Sequence, residues 1–401
     1  MPKKENGIYL RKDGRYEAIH YYGVNPATGR PKKLTRYGKT VKEAKEKLQL
    51  AVSQLTTGTL LNNTNMTVEK WLNTWLEIYS KPNIKQSTFM SYEGYARGHI
   101  IPYIGKLKLS QLNAEILQEF FNNQYKSGRI DGKGGVSEKT LRNMRNMFHY
   151  ALQQACDNNL ILKNYIEQVK LPKVPQKEMR VLDDYEQFQL CTELSKTEER
   201  YGIGVYIALH TGMRIGEICG LHWEDIDLSS DVGTIRVRRT LGRLMKYRNS
   251  DGKYKEGENS AEIVESSPKS QKSIRDIPID EEVCKVLRKY RSKIFTERSQ
   301  CQEVSDKTGY VICTEIGTHI EPSTLSDTYK RILASAGLKN ANFHALRHTF
   351  ATNAIKLGID PKTVSELLGH ADVSITLNRY AHSFDEQKRQ AMKKIAAHLK
   401  P

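Results

Sequence analysis

Residues 344–382 read HALRHTFATNAIKLGIDPKTVSELLGHADVSITLNRYAH, and the rest of the chain is best understood outward from them. His344 and Arg347 stand three apart, so a helix places them on one face. Leu346, Phe350, Ala354 and Ile355 turn the other way, toward a core. The punctuation that follows is unusually clear. Asp360 is an N-cap, Pro361 takes the first helical position, and Gly369 is the left-handed residue that stops the helix. His370 is therefore presented just past a helix end. Ten residues later, on the next helical stretch, comes Tyr380 within Asn378-Arg379-Tyr380-Ala381-His382. As one of 21 tyrosines it would by itself read as packing.

Upstream, the apolar run through Leu209 reads as a buried helix that Gly212 ends. Ile215, Ile218 and Leu221 start another helix directly after it. Arg214 thus sits at a tight junction among apolar neighbours, where a guanidinium needs an anionic partner. Glu217, three residues on, offers one structural answer and an external anion offers another. Between these stretches, Thr234–Arg238 and residues 274–279 alternate like strands. The polar segment from Lys246 to Asn259 separates them, with Asp251-Gly252 at a hairpin tip. Ser267-Pro268-Lys269-Ser270-Gln271-Lys272 is a polar turn before the second strand, and a lysine on a turn is ordinarily just solvated.

Two proline-containing or polar linkers divide the chain. Leu171–Lys177 breaks any continuing helix, and residues 55–66 precede an N-cap at Thr67. Val68, Trp71, Leu72, Trp75, Leu76 and Tyr79, then Leu112, Ile116, Phe120 and Phe121, then Leu141, Met144, Phe148, Leu152 and Ala155, recur at helical spacing. Residues 67–166 are expected to be all helical. Lys139, Arg142 and Arg145 read as a solvated face, with phosphate contact as the minority reading. Residues 1–54 read as a three-stranded sheet with a hairpin at Asp13-Gly14 and a second turn at Pro26–Gly29. A helix follows behind the Thr40-x-x-Glu43 capping box. Residues 1–60 hold 13 Lys and Arg against 5 Asp and Glu, so a basic face is expected there.

Across all 401 residues, 63 Lys and Arg outnumber 46 Asp and Glu, for a formal charge of +17. That surplus fits a polyanionic partner. No run approaches the roughly 18 apolar residues of a spanning helix, so the polyanion expected is nucleic acid and not a membrane. No secretory signal is visible at the N-terminus. The six cysteines form no C-x-x-C pair, which points to a reducing cytosol and away from zinc fingers or disulfides. No Walker motif, acidic metal cluster or cysteine–histidine metal set is visible in the sequence.

Taken together, T-G-M-R at 211–214, the lysine turn before Ile277-Pro278, H-A-L-R-H-T-F-A-T at 344–352, L-L-G-H-A at 367–371 and L-N-R-Y-A-H at 377–382 resemble the catalytic domain of the tyrosine recombinases, of the phage and conjugative-transposon integrase type. Order and separations match as well as the pieces. The resemblance implies a multidomain fold. By that resemblance residues 1–58 would form a small β-sheet arm-type DNA-binding module, 67–166 an all-α SAM-like core-binding domain, and 176–401 a mixed α+β catalytic domain.

It also implies a site. Arg214 and Arg347 would clamp the non-bridging phosphate oxygens, His344 and His370 would bind the same oxygens or move a proton, and Tyr380 would be the nucleophile. Lys269, with Lys272 as the alternative, would protonate the departing 5′ oxygen, and Glu217 would support Arg214. The product of cleavage would be a 3′-phosphotyrosine linkage that stores the bond energy, so the resemblance implies no ATP and no metal cofactor, in agreement with the missing motifs. Implied partners are double-stranded DNA at attachment sites, a homotetramer joining two such sites, and an accessory DNA-bending or excision factor, in the bacterial cytoplasm or nucleoid. The amphipathic set Phe384, Met392, Ile395, Ala396 and Leu399 would dock on a neighbouring protomer or cover its own core. The rival readings are a catalytically silent DNA-binding regulator, a two-domain resolvase of chromosome dimers, and a topoisomerase.

Overall fold

A computed structural model describes residues 7–24, 29–56, 65–173, 179–246, 261–266, 271–300, 309–370, 372–374, 377, 392–393 and 395–396. The chain divides into two compact units, Met1–Pro175 and Gln176–Pro401.

In the first unit, Gly14 takes φ +78° and turns the chain between β1 (Ile8–Leu10) and β2 (Tyr16–Val24), where the sequence expects a hairpin. β3 (Pro31–Gly38) completes an antiparallel sheet in the order β1-β2-β3. The expected turn at Pro26–Gly29 falls mostly outside the described residues. Helix α1 (Val41–Thr56) packs on one sheet face through Ile8, Ala18 and Ala44. Thr40 Oγ1 accepts the Glu43 N–H (3.2 Å), but the Glu43 carboxylate takes the Lys39 N–H (2.7 Å), one residue earlier than a standard box. On the opposite sheet face, the Arg11 and Arg15 guanidiniums lie 5.2 and 5.7 Å from the Tyr37 ring centre.

The remainder of this unit is helical: α2 (Val68–Thr74), a π-helical turn (Trp75–Ser80), α3 (Gln86–Tyr95), a second π turn (Ala96–Ile100), α4 (Ile101–Ile104), α5 (Ala114–Ser127) and α6 (Glu138–Asp157). The expected apolar positions form its core, except that Tyr79 is only half-buried and two further changes follow. Leu117 is fully buried while Ile116 is half-buried, and Met147 joins Met144 and Phe148. The Trp71 indole N–H donates to the Ala151 carbonyl (2.9 Å), tying α2 to α6. Lys139 and Arg142 are exposed, as a solvated face requires. Arg145 departs from that face. It is half-buried, and its guanidinium donates to the Glu167 carbonyl (3.3 Å).

The second unit begins with the capping box that Asp183 and Glu186 form over α7 (Asp184–Lys196). Helices α8 (Gly202–Thr211) and α9 (Ile215–Cys219) follow. Strands β4 (Ile226–Asp227), β5 (Gly233–Val237) and β8 (Arg275–Ile279) form one antiparallel sheet. Between β5 and β8 the chain makes a separate hairpin of β6 (Thr240–Met245) and β7 (Ala261–Ser266), in register Met245↔Ala261 to Thr240↔Ser266. The polar segment from Lys246 to Asn259 thus joins the two strands of a second ribbon, which the weak alternation of TLGRLM and AEIVES hides. Its expected tip at Asp251-Gly252 lies outside the described residues. Helices α10 (Glu281–Gln300), α11 (Pro322–Ser335), α12 (His344–Lys356) and α13 (Pro361–Leu368) follow; α10, α11 and the start of α12 pack on one large apolar core, and the rest of α12 and α13 share a smaller cluster of Ala351, Ala354, Ile355, Val364 and Leu368.

Candidate active site

α13 is short, and its carbonyls at the C-terminal end decide the geometry of the site. Asp360 opens the helix by accepting the Lys362 and Thr363 N–H groups (2.9 and 3.1 Å). Gly369 closes it at φ +65°. The Gly369 N–H reaches the Glu366 carbonyl (3.0 Å) and the His370 N–H reaches that of Ser365 (2.9 Å), the pattern of a Schellman turn. Three further carbonyls point out of this end, and three arginines take them. Arg275 Nε donates to Leu367 O (2.6 Å), Arg347 to Leu368 O (2.7 Å) and Arg214 to Gly369 O (3.2 Å). The negative end of the helix dipole thus gathers guanidiniums from three separate elements.

Each arginine arrives differently. Arg214 stands at the N-terminus of α9, two residues after the left-handed Gly212 (φ +63°) that ends α8. A Cβ on Gly212 would fall 2.6 Å from the Phe350 ring and 2.9 Å from Leu368, so this junction needs glycine twice over. Arg347 comes from the end of the first turn of α12 and also donates to the Gly212 carbonyl (2.9 Å). It is 2% exposed, as deep as the core residues beside it, whereas the sequence separates its face from the buried one. Arg275 leads β8 with its side chain turned inward in phase with Ile277 and Ile279.

The carboxylate that meets this group is Glu217, on α9 and 3% exposed. It receives Arg214 through the side chain (2.7 Å) and the backbone N–H (3.0 Å), and Arg275 through both oxygens (3.3 and 2.9 Å). Burial by itself would raise the Glu217 carboxyl, but the two guanidiniums more than reverse it and hold it below its ordinary value. Arg214 and Arg275 thus share one carboxylate. With Arg347 beside them the cluster keeps an excess of positive charge, and the Arg214 side chain is 37% exposed to offer it outward. Such a cluster suits a phosphate.

Arg214, Arg347 and His370 are therefore gathered around one helix end. His370 is 9% exposed, held by the turn that the arginines clasp. His344 occupies the first turn of α12, exposed, with its ring edge-on to His348 at 4.6 Å between centres. Lys269 and Tyr380 lie outside the described residues. Lys272 is described and exposed. Its ammonium contributes, after the Ser374 hydroxyl and N–H, to lowering the Asp372 carboxyl two residues past His370. β7, which leads into the lysine turn, is anchored through Glu265. That carboxylate accepts the Tyr310 hydroxyl (2.9 Å) and lies 3.2 Å from His222 Nε2. Burial and this hydrogen bond push the Tyr310 hydroxyl up to about 12.

Sequence reasoning passes over Arg275. The available signal is its phase: in Arg275-Asp276-Ile277-Pro278-Ile279 a charge occupies the inward position of an alternating strand, and a charge there needs a partner. Among the described residues no group of three or more His, Cys, Asp or Glu could hold a metal ion. No helix there is long and apolar enough to cross a membrane.

Comparison with known proteins identifies the family to which this arginine-and-histidine site belongs. Residues 180–387 match the phage integrase family, and residues 67–124 match the phage integrase N-terminal SAM-like domain. A XerC-like tyrosine recombinase of Caldanaerobacter subterraneus subsp. tengcongensis is 32% identical, over 98% of this chain and 99% of its own. The Tn1549 transposon integrase bound to a circular intermediate DNA has a similar fold, with TM-score 0.64 and 21% identity, over 82% of this chain and 99% of that one. So does lambda integrase, solved as a tetramer bound to a Holliday junction, with TM-score 0.55 and 18% identity over 94% and 96%. The chain belongs to the phage integrase family: it is a tyrosine recombinase, an enzyme of site-specific DNA recombination.

Proposed function

We propose that this recombinase integrates and excises a mobile element, with Tyr380 as its nucleophile. The Tyr380 phenolic oxygen attacks the scissile phosphorus and forms a bond to the DNA 3′ side. The bond from phosphorus to the 5′ oxygen breaks. Lys269 supplies the proton that the departing oxygen takes up, and His344 or His370 receives the phenolic proton. A 5′-hydroxyl of the partner duplex then attacks the phosphotyrosine, reseals the strand and frees Tyr380. Bond energy is conserved through both steps, so the exchange needs no ATP.

The observation that carries this reading is the convergence of Arg214, Arg347 and His370 on the end of α13, with positive charge in excess. Two guanidiniums there suit the charge that grows on the non-bridging oxygens in the transition state. The domain assignment follows the same reading. Residues 1–58 bind arm-type DNA sites, 67–166 grip the core site, and 176–401 carry the chemistry. The expected partners are double-stranded attachment sites, four copies of the chain across two of them, and an accessory bending or excision factor. The bacterial cytoplasm is the expected setting.

A recombination assay on DNA carrying the junctions of the element tests the proposal. The wild-type protein is expected to join two sites into recombinant products that Tyr380→Phe does not form. Binding to both sites without joined product from the wild type would overturn it.

A further inference from the structure

We infer that Arg275 is a positioning residue of the phosphate clamp, acting through Glu217 and the end of α13 to fix the guanidinium of Arg214 and the turn that carries His370. The inference rests on the proposed roles of Arg214 and His370.

Arg275 itself is sealed from DNA, with a side chain 6% exposed. Its donors reach three parts of the site at once. Nε holds the Leu367 carbonyl (2.6 Å), two residues before Gly369. One terminal nitrogen holds the Ser273 carbonyl (3.0 Å), in the turn that follows Lys269. The two terminal nitrogens together grip both oxygens of Glu217. Gly369 lies directly against this fork, since a Cβ there would stand 3.0 Å from an Arg275 terminal nitrogen and 3.1 Å from its Cδ.

Charge gives the reason for such a residue. Glu217 and Arg214 alone would make a neutral pair, and a neutral pair stabilises a phosphate poorly. Arg275 occupies the carboxylate from the buried side and returns the pair to net positive charge. It also leaves Arg214 a single side-chain bond to Glu217, with the guanidinium directed by Gly369 O on its other nitrogen. Lysine cannot replace this arrangement, because one ammonium has no planar fork to span Glu217 and the Leu367 carbonyl together.

The test uses the full-length protein on nicked duplexes that trap the covalent DNA adduct, at saturating protein. One duplex carries an ordinary scissile phosphate and the other a methylphosphonate, in which one charged oxygen is replaced by a methyl group. Arg275→Met and Arg275→Lys are compared with wild type, with melting curves and DNA affinity measured alongside. On phosphate, Arg275→Met is expected to slow adduct formation by about 10²-fold, the scale of one lost transition-state donor. DNA affinity should change by less than about threefold, since Arg275 touches no DNA. On methylphosphonate the loss should shrink at least tenfold, since the charge that Arg214 would stabilise is gone.

A purely structural role would slow both substrates equally, and that result, or wild-type rates on phosphate, overturns the inference. If Arg275→Met does not fold, Arg275→Lys decides by the same substrate comparison. Arg214→Ala run in parallel separates the two levels. Loss with Arg214→Ala but none with Arg275→Met sinks only the positioning role. Full activity in Arg214→Ala sinks the reading of the site beneath it.

Discussion

Arg347 and Arg214 donate to adjacent carbonyls, Leu368 O at 2.7 Å and Gly369 O at 3.2 Å, although 133 positions separate them in sequence. The end of α13 acts as the template that sets the spacing of the two guanidiniums. Their different depths lead to different expectations. Arg347→Ala strands the Gly212 and Leu368 carbonyls in the interior, and unfolding by denaturant should show a loss of about 1–3 kcal/mol. Arg214→Ala removes a part-exposed side chain, and the cost should be nearer about 1 kcal/mol. Both should slow DNA cleavage by about 10²-fold or more.

Glu217→Gln tests the carboxylate. It leaves the buried Arg275 guanidinium without its counter-charge, and a loss of about 3–5 kcal/mol is expected from denaturant unfolding. The wild-type carboxyl titrates below its ordinary value, so its stabilising contribution is present above the unfolded pKa, about 4.3, and fades as pH falls through the folded one. The wild-type melting temperature should therefore drop more steeply below about pH 4.3 than that of Glu217→Gln. Parallel curves would contradict the pairing.

Gly369→Ala places a methyl group against Arg275 in a left-handed backbone conformation. The backbone alone should cost about 1–2 kcal/mol. Because Arg275 must move as well, adduct formation should fall further than stability does. A variant with a lowered melting temperature and an unchanged cleavage rate would show that the turn does not set the clamp.

Lys269 and Lys272 are separated by leaving-group chemistry. The lysine that protonates the 5′ oxygen should lose cleavage when changed to Ala, and recover it on DNA whose 5′-bridging oxygen is sulfur, because a thiolate leaves without a proton. Recovery by Lys269→Ala is expected. Recovery confined to Lys272→Ala would transfer the role to the lysine near Asp372.

Local rules are sufficient where a residue acts on its own neighbours, and those parts of the fold are legible in the sequence. Asp360, Pro361 and Gly369 bound a helix, Gly212 breaks one, and Asp183 with Glu186 caps another. The helical core is readable because Trp71, Leu72, Phe120 and Met144 repeat with the helix period. Contact across distance stays hidden. Nothing near Arg347 in sequence reveals that its partners are Gly212 and Leu368, and α12 is buried on nearly every side, so periodicity does not mark that face. The β6–β7 ribbon is obscured for a different reason, since short half-exposed strands bury too little for clean alternation.

The most direct measurement is covalent trapping. The protein is incubated in EDTA with nicked duplexes from its element's junctions, and denaturing gels report protein-linked DNA for wild type and Tyr380→Phe. A band that survives EDTA and disappears in Tyr380→Phe is the predicted result. A band that persists in Tyr380→Phe, or tight binding with no band from the wild type, would contradict catalysis through a phosphotyrosine at Tyr380.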